Sequence, residues 1–432
     1  MNSTSVPEKL LHYIWQHRLF YPTGLTTDDG QSVEVINPGM RNTDAGPDFF
    51  NAQVRIGKTL WAGNIEIHNN ADDWYNHNHH ADRAYDNVIL HVVTQLSTRP
   101  TTTYSGNVVP QMVLTFPPSI LQRFNEFDCS KDTIRCRKYL TYLQPLILHQ
   151  WLDRLITERM EQRTERVTEL FGEFNNDWDQ TLFCMLARAM GFGVNAEPME
   201  ILAHITPVRI LLKHPDPIQA EALLIGQAGL LPDDVADDKY LQQLSREYDF
   251  LRTKFTLTPM DGSVWKHLRL RPDNFPCIRL SQLAAIVAAT HGNIANYFNT
   301  TDTKLLITQL SVKASEYWET HYMPGRASSK AKAKRLGKES CRLLIINAIV
   351  PYLFTYGRHY GNSDSDDTAL QILQAMPIEN NSRLGLWHSL GIVPRDECEA
   401  QALLHLYKEY CERHKCLACR IGWTVFGKRV DE

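Results

Sequence analysis

The sequence has no apolar run of the roughly 18 residues that a helix needs to span a bilayer. Its start, MNSTSVPEKLLHYIWQHRLF, lacks the basic region, apolar stretch and small-residue cleavage site of a signal peptide. Neither charge dominates: 45 Lys and Arg face 49 Asp and Glu, for a formal net charge of −4. A chain this close to neutral does not coat nucleic acid through bulk charge, although a local basic patch could still bind it. Because no apolar run is long enough to span a bilayer and no signal peptide is recognisable, we expect no membrane association.

Cysteine is scarce and unevenly placed. The nine cysteines form an odd set with irregular spacing, and three of them, Cys411, Cys416 and Cys419, fall within nine residues of one another near the C-terminus. This pattern is typical of metal binding and differs from the framework of a secreted, disulfide-rich protein. It predicts a reducing, cytoplasmic setting.

The chain is long enough to bury sizeable cores without disulfides, and its 432 residues suggest about two or three domains. Alternating patterns dominate the first part of the sequence, whereas helical periodicity dominates from about residue 143 onward. We predict an α+β domain over residues 1–125, a mixed sheet flanked by helices, followed by a mostly α-helical body. The body divides into a helical domain over residues 140–325 and a helical C-terminal region with the cysteine cluster over 326–432.

Apolar spacing and turn residues place the elements of the first domain. Leu11, Ile14 and Trp15 recur at helical spacing and predict a helix over residues 8–19. Alternation and apolar runs bounded by turn residues predict four strands. These strands cover residues 32–36, 48–56, 60–68 and 87–94. In the body, long apolar periodic segments predict helices over residues 146–171, 177–192, 220–231 and 339–357.

The segment GPDFFNAQVRIGKTLWAGNIEIH carries the clearest functional pattern. Strand side chains alternate between faces, so Glu66 and His68 share one face of the third strand. A hairpin loop of three residues centred on Lys58 puts Asp48 opposite His68, on that same face. A two-residue turn would instead put Asp48 opposite Ile67, on the other face, because a one-residue slip reverses every side chain. The prediction of a shared site therefore depends on the register.

Two carboxylates at one end of a sheet repel each other unless a cation lies between them. The hard divalent ions Mg²⁺ and Mn²⁺ suit oxygen ligands, so we predict such an ion at Asp48 and Glu66. Glu8 lies beside Leu11 and Trp15 on the apolar side of the first helix and would complete the site. The alternative for Glu8 is an exposed first-turn residue favoured by the helix dipole.

The order of these elements resembles the PD-(D/E)XK nuclease superfamily. The motif is Pro47-Asp48, followed after seventeen residues by Glu66-Ile67-His68, and the resemblance covers about residues 6–95. It implies a restriction-endonuclease-like sheet and metal-dependent cleavage of phosphodiesters, with Asp48 and Glu66 as metal ligands. The superfamily usually has Lys where this chain has His68, and a His can act as a base or as a metal ligand.

Most of the chain also resembles an uncharacterised bacterial family, domain of unknown function 2851, which brings no known activity with it. The residues that carry this resemblance are spread from the first domain to the C-terminus. They are residues 42–49 (NTDAGPDF), 63–68 (GNIEIH), 73–74 (DW), 77–79 (HNH), 88–93 (VILHVV), 221–231 (EALLIGQAGLL) and 416–422 (CLACRIG).

A group of histidines between the third and fourth strands is a second candidate site. His77, His79 and the neighbouring Asp residues could bind a transition metal such as Zn²⁺ or Mn²⁺, or His77 and His79 could contact substrate phosphate. The alternative is a plain solvated loop. His91, within the fourth strand, is either a metal ligand or a satisfied core histidine.

The C-terminal cysteines predict a second, structural metal. The Cys416-x2-Cys419 pair places two thiolates on one side of a turn, as zinc knuckles and iron–sulfur loops require, and Cys411 adds a third. Cys398 is our predicted fourth ligand, with His405 or His414 as alternatives. The metal could be Zn²⁺ or a [4Fe–4S] cluster, and the alternative is a set of buried reduced thiols.

The basic segment RASSKAKAKRLGK, residues 326–338, has six basic residues and no acidic ones. Lys332, Lys334 and Arg335 could contact a phosphate backbone, and the alternative is a mobile surface loop. Together these features predict a metal-dependent, nuclease-like phosphodiester hydrolase that acts on nucleic acid. Two alternatives stay open: a catalytically inactive nuclease-fold protein that binds or assembles with a partner protein, and a His/Asp transition-metal hydrolase.

Overall fold

The computed structural model describes residues 6–232, 234, 238–328, 330–361 and 363–427. The chain forms two compact units, one made of Met1–Trp151 with Leu406–Glu432 and the other of Leu152–His405. Residues 406–432 therefore belong to the same unit as the N-terminal domain. The predicted division of the body at residue 326 does not correspond to a boundary between these units.

A mixed six-stranded sheet forms the centre of the first unit and confirms the predicted α+β class. The strand order is β1-β3-β4-β5-β8, and β2 pairs with β3. Neighbours β1, β3 and β4 are antiparallel, whereas β5 is parallel to both β4 and β8. The strands are β1 (Val33–Asn37), β2 (Met40–Arg41), β3 (Phe49–Ile56), β4 (Thr59–Asn70), β5 (Val88–Gln95) and β8 (Gln111–Val113), with β6 (Thr101–Thr102) and β7 (Val108–Val109) forming a separate pair.

Strands β4 and β5 form the most buried part of this sheet. On β4, Ile65 and Ile67 are buried on one face, and Glu66 and His68 are buried on the other. Strand β5 is buried from residue 90 to residue 93, as expected of a strand with parallel neighbours on both sides. Glu66, His68 and His91 therefore lie in the interior of the sheet and not at a solvent-facing edge.

The hairpin between β3 and β4 differs from the prediction in its turn. Ile56 pairs with Thr59, so the turn contains only two residues, Gly57-Lys58. The predicted three-residue loop, with Asp48 opposite His68, is therefore wrong. A regular hairpin with this turn would put Asp48 on the face away from the other carboxylate.

A β-bulge in β3 returns Asp48 to the shared face. The register shifts by one residue between Phe49 and Ala52, where Asn51 adopts a left-handed φ of 56°. A bulge inserts one unpaired residue and so reverses the facing of everything beyond it. Phe49 consequently pairs with Ile65. Asp48, the residue before Phe49, therefore lies beside Glu66.

Helices flank the sheet and complete the first unit. They are α1 (Glu8–Gln16), α2 (Asp73–Asn76), α3 (Pro118–Asp128), the first turns of α4 (Pro145–Glu173) and α19 (Arg420–Gly427). Helix α1 ends three residues earlier than predicted and packs on β4 through buried Leu11 and Ile14. Helix α19 packs on α3, where Arg123 Nη1 donates to the carbonyl oxygen of Val425 at 2.8 Å.

The second unit is almost entirely helical, as predicted for the body. The helices predicted over 146–171, 177–192, 220–231 and 339–357 are present with bounds shifted by a few residues. After α4, its helices are α5 (Trp178–Met190), α6 (Ala196–Ile205), α7 (Val208–Lys213), α8 (Pro217–Gln227), α9 (Lys239–Phe255), α10 (Pro276–Ala289), α11 (Ile294–Tyr297), α12 (Thr303–Leu310), α13 (Tyr317–Thr320), α14 (Lys338–Leu344), α15 (Val350–Tyr360), α16 (Ser363–Ala375), α17 (Ser382–Ser389) and α18 (Glu397–His405). A small antiparallel pair, β9 (His321–Met323) and β10 (Arg326–Ala327), lies among them.

One helix of this unit is long and apolar enough to cross a membrane by length and composition. It runs over Lys338–Tyr360, through α14, a π-helical turn and α15. This finding corrects the expectation that no such segment exists. However, 72% of its apolar window is buried inside the protein, and the core helix of a globular protein meets the same criteria. The helix is therefore weak support for a membrane span.

Candidate metal centre

Two carboxylates and four histidines from separate segments meet beside β4. The carboxylates precede β3 and lie on β4, and the histidines come from β4, from the segment after α2 and from β5. They are Asp48, Glu66, His68, His77, His79 and His91. The structure therefore brings together the acidic motif and the histidine group, which the sequence suggested as two separate sites.

Local backbone geometry explains how the histidines reach the strand. Glu66 and His91 are direct neighbours across the parallel β4–β5 pair. After α2, Asn78 adopts a left-handed φ of 63°, which Asn tolerates better than most residues. This turn reverses the chain between His77 and His79, and both rings then lie within 5.3 Å, centroid to centroid, of the ring of His68.

Aromatic packing holds two of the rings in place. Tyr85 stacks on His79 with ring centroids 3.9 Å apart. The fully buried ring of Trp74 contacts both His79 and His91 at 5.5 and 5.2 Å. Because these imidazoles are fixed by packing, His79 Nε2 is held toward Glu66, and the two nitrogens of His91 are held toward His68 and Thr101.

The donor atoms stand at separations that suit a single ion. His68 Nε2 lies 3.1 Å from His77 Nδ1 and 3.5 Å from Glu66 Oε1, and His79 Nε2 lies 3.1 Å from the same oxygen. Ligands about 2.1 Å from a tetrahedral metal stand about 3.4 Å apart. The three histidines each offer a ligand nitrogen within 4.8 Å of the other two.

The buried Nε2 of His79 supports this arrangement. It has no hydrogen-bond partner, because its contact with Glu66 Oε1 is close but lacks hydrogen-bond geometry. A buried polar atom without a partner is costly, and a metal ion at this position would satisfy it. The residues present therefore fit a divalent transition ion.

His91 contacts His68 and is not one of the candidate metal-ligand residues. Its Nε2 lies 2.9 Å from His68 Nδ1, and its Nδ1 lies 3.2 Å from Thr101 Oγ1. With a metal on His68 Nε2, His68 must carry its proton on Nδ1 and donate it to His91. Metal-binding histidines commonly have such a partner, which fixes their tautomer and orientation. His91 is thus better described as an orienting residue than as the predicted metal ligand.

Asp48 lies next to the candidate ligand atoms, where one backbone donor and the ring of His12 contact it. The backbone N–H of Ile67 donates to Asp48 Oδ2 at 2.9 Å, and His12 Nε2 lies 3.1 Å from the same oxygen. The backbone N–H of Asp48 in turn donates to Glu66 Oε2 at 3.1 Å. Asp48 therefore helps to position Glu66.

Burial sets the charge of these groups. It lowers the pKa of His68 to about 3, with a further contribution from His91, and it lowers the pKa of His79. Both imidazoles are consequently neutral at pH 7, the form that binds metals. Burial, and then the charge of Asp48, raises the pKa of Glu66. Without a cation, Glu66 therefore retains a proton that a metal ion would displace.

Helix α1 contributes to the site through a residue that we did not predict. Glu8 is exposed, so the expectation that it lies on the apolar side of the helix is wrong. His12, one turn later, is the residue that reaches Asp48. His12 is only partly buried, and the spacing of the apolar residues in α1 gave no signal that would have selected it.

The three basic residues predicted to bind substrate make contacts within the protein. Lys334 is 5% exposed, and its Nζ donates to the carbonyl oxygens of Trp318 and His321. Arg335 donates to the carbonyl oxygen of Ser311. Lys332 pairs with an aspartate on the surface at 2.6 Å. Lys334 therefore cannot make the predicted phosphate contact. Because it is buried, it is also not part of the mobile surface loop that was the alternative prediction.

The cysteines group differently from the prediction. Cys411, Cys416 and Cys419 line one cavity in the first unit together with Cys136, which the sequence gave no reason to choose. Cys398, the predicted fourth ligand, belongs to the second unit, where its thiol lies 3.6 Å from the carbonyl oxygen of Leu370.

Comparison with known proteins gives one match. A family model described as a protein of unknown function, DUF2851, matches residues 8–382, which is most of the chain. No curated protein and no solved structure matches the chain. The site geometry is consequently the main guide to what the protein does.

Proposed function

We propose that this chain, which belongs to the DUF2851 family, is a metal-dependent phosphodiester hydrolase whose ion is held by His68, His77, His79 and Glu66. The observation that carries the proposal is the convergence of these four donors, at mutual separations of 3.1–3.5 Å where a contact joins them. Three imidazoles favour a transition ion, Zn²⁺ or Mn²⁺, over Mg²⁺.

The reaction class is supported by the resemblance to the PD-(D/E)XK superfamily. The order of elements is α1, the four strands β1 to β4 in antiparallel pairs, the short helix α2 and the parallel strand β5, and this order supports the resemblance. Asp48, directly before β3, and Glu66, on the neighbouring strand β4, stand at the two acidic positions of its motif. Nucleic acid is therefore the proposed substrate. The proposed location of the protein is the cytoplasm.

When bound, an ion that keeps a further position open beside these four donors would lower the pKa of a water molecule there and stabilise negative charge on the phosphate. His77 is exposed, so water and substrate can approach from its side. His68 is 2% exposed with both ring nitrogens facing other imidazoles, so we assign it as a ligand and not as the base that replaces the usual Lys. Asp48, backed by His12, is the group we assign to accept the proton of the attacking water.

The test is cleavage of DNA and RNA by protein purified without a histidine tag, with Mn²⁺, Zn²⁺ or Mg²⁺ added in turn. We expect metal-dependent cleavage that is lost in Asp48→Ala and in Glu66→Ala. Asp44→Ala is the matched control, because Asp44 is an exposed carboxylate in the same loop and should leave activity unchanged. Cleavage that survives both site substitutions would show that the proposal is wrong.

The second candidate is a catalytically inactive protein that binds a partner. It is favoured by one specific observation: His68, at the position of the usual Lys, is buried and kept neutral, so it supplies no charge to a substrate. A metal bound at the site, no turnover on either nucleic acid and a stable complex with a partner protein would support this candidate over the first.

A further inference from the structure

Four cysteines from two distant parts of the chain line a single small cavity in the first unit. Cys136 follows α3, and Cys411, Cys416 and Cys419 precede α19. The cavity has a volume of about 20 Å³, and its other walls include the rings of Phe127 and Tyr410. Four cysteines that line one small cavity form a ligand set that no part of the hydrolase site uses.

The backbone around the three C-terminal cysteines is folded tightly about this cavity. His414 adopts a left-handed φ of 53°, and the N–H of Lys415 returns to the carbonyl oxygen of Tyr410 at 2.8 Å. The N–H of Cys419 donates to the carbonyl oxygen of Cys416 at 3.3 Å. These bonds turn the chain twice within nine residues and bring all three sulfurs to one side.

Gly422 is required by this arrangement. A Cβ at Gly422 would lie 2.0 Å from the carbonyl oxygen of Cys416, which is closer than any side chain permits. The close approach also lets the backbone N–H groups of Ile421 and Gly422 reach the sulfur of Cys419. N–H groups directed at cysteine sulfurs are a recurring feature of protein-bound metal–thiolate centres.

A cationic side chain lies at the same cavity. Arg135 lines it together with the four cysteines and lies beside Cys416. A cationic guanidinium next to four sulfurs suits the negative charge that a tetrathiolate centre carries.

The spacing of the sulfurs distinguishes a site for a single zinc ion from a site for an iron–sulfur cluster. Thiolates on one zinc ion, with Zn–S of about 2.3 Å, stand about 3.8 Å apart. Among the residues that the structure describes, the three histidines of the first site are the one set of three donors that all lie within 4.8 Å of one another. In any three of these four sulfurs, at least one pair is therefore more than 4.8 Å apart, which is wider than the spacing on a single zinc ion.

We propose that Cys136, Cys411, Cys416 and Cys419 hold a [4Fe–4S] cluster that ties the C-terminal segment to the segment after α3. Its role is structural, and the inference does not depend on the proposed hydrolase activity. The cluster would stabilise these two short, irregular segments, which cannot form a hydrophobic core of their own.

The test is metal and sulfide analysis of the full chain, expressed in iron-replete cells and purified anaerobically without a tag. We expect about four iron and four acid-labile sulfide per chain, with a broad visible absorption band. Cys136→Ala should lose most of the iron and this band. Cys129→Ser is the matched control, because Cys129 is exposed and seven residues away, and it should retain both.

Three results would overturn the inference. Zinc at one equivalent with no iron would replace the cluster by a mononuclear site. Full iron content in Cys136→Ala would exclude Cys136 as a ligand. Unmodified protein that contains neither iron nor zinc would leave four free thiols, and this result does not depend on whether a variant folds. Loss of DNA cleavage in Glu66→Ala with unchanged iron would show that the two sites are independent.

Discussion

Replacing His91 with Phe should weaken metal binding without removing a ligand. His91 is fully buried, and its Nε2 is the partner, at 2.9 Å, of His68 Nδ1. In the free protein, His68 can shift its proton to the other nitrogen and so avoid an unpaired N–H. When a metal is bound to His68 Nε2, the proton must stay on His68 Nδ1. In His91→Phe this N–H is therefore buried without an acceptor.

The penalty therefore falls on the metal-bound state. An unsatisfied buried donor costs about 1–3 kcal/mol. Loss of an outer partner of a ligating histidine typically weakens metal affinity about 10–100-fold, or ~1.4–2.8 kcal/mol. The two estimates agree, so we expect a loss of this size for His91→Phe, whose ring still packs against Trp74.

The assay is competition for Zn²⁺ or Mn²⁺ with a chelating fluorophore, together with circular dichroism to verify folding. His91→Gln is the matched control, because its side-chain oxygen can take the place of the imidazole Nε2 as acceptor, and we expect affinity close to that of the unmodified protein. A folded His91→Phe protein with unchanged affinity would refute the orienting role and, with it, the assignment of His68 Nε2 as a ligand atom.

Three further predictions address other parts of the structure. Because the pKa of Glu66 is raised, metal binding near pH 7 should release its proton, and affinity should rise with pH until the carboxyl is ionised. Calorimetry in buffers of different ionisation enthalpy measures this release, which Glu66→Gln should abolish; a proton count near zero for the unmodified protein would contradict it. Asn51→Val should lower the free energy of unfolding by at least ~1–2 kcal/mol, because a β-branched residue is strained at a left-handed φ, and it should weaken metal binding by displacing Asp48. Asn51→Gly should leave both properties nearly unchanged, and equal losses in the two variants would argue against the bulge. In urea unfolding, Lys334→Met should cost about 1–3 kcal/mol by leaving two buried carbonyl oxygens unpaired. Lys332→Met, which removes an exposed ion pair, should cost less than ~1 kcal/mol, and equal effects would count against burial of Lys334.

The elements of the first unit could be predicted from the sequence because each depends on a local pattern. Apolar alternation and turn residues located the four main strands to within about two residues at most ends. The facing of Glu66 and His68 followed from the same alternation, and both are buried on the predicted face. Local patterns of this kind do not depend on distant parts of the chain.

The register at Asp48 could not be predicted, because two irregularities compensate for each other. The turn is one residue shorter than we expected, and the bulge at Asn51 adds one residue back. Either feature alone would have moved Asp48 to the other face. Asn is one of the few residues that tolerates this conformation, but nothing local distinguishes Asn51 from an ordinary exposed strand residue.

Other errors arose where tertiary contacts decide the outcome. Basic residues in a Ser- and Ala-rich segment predict an exposed stretch, yet the ammonium of Lys334 is satisfied by two carbonyl oxygens in the interior. Cys136 lies far from the cysteine-rich segment in sequence, so its spacing carried no information about its partners. Such contacts follow from the packed fold and have no periodic signature.

The measurement that tests the metal centre most directly is a crystal structure of the chain with Mn²⁺ or Zn²⁺, with the ion located by anomalous scattering. We predict one strong peak within about 2.0–2.3 Å of His68 Nε2, His77 Nδ1, His79 Nε2 and Glu66 Oε1. A fully occupied ion elsewhere, with these four atoms still in mutual contact and without metal, would contradict the account.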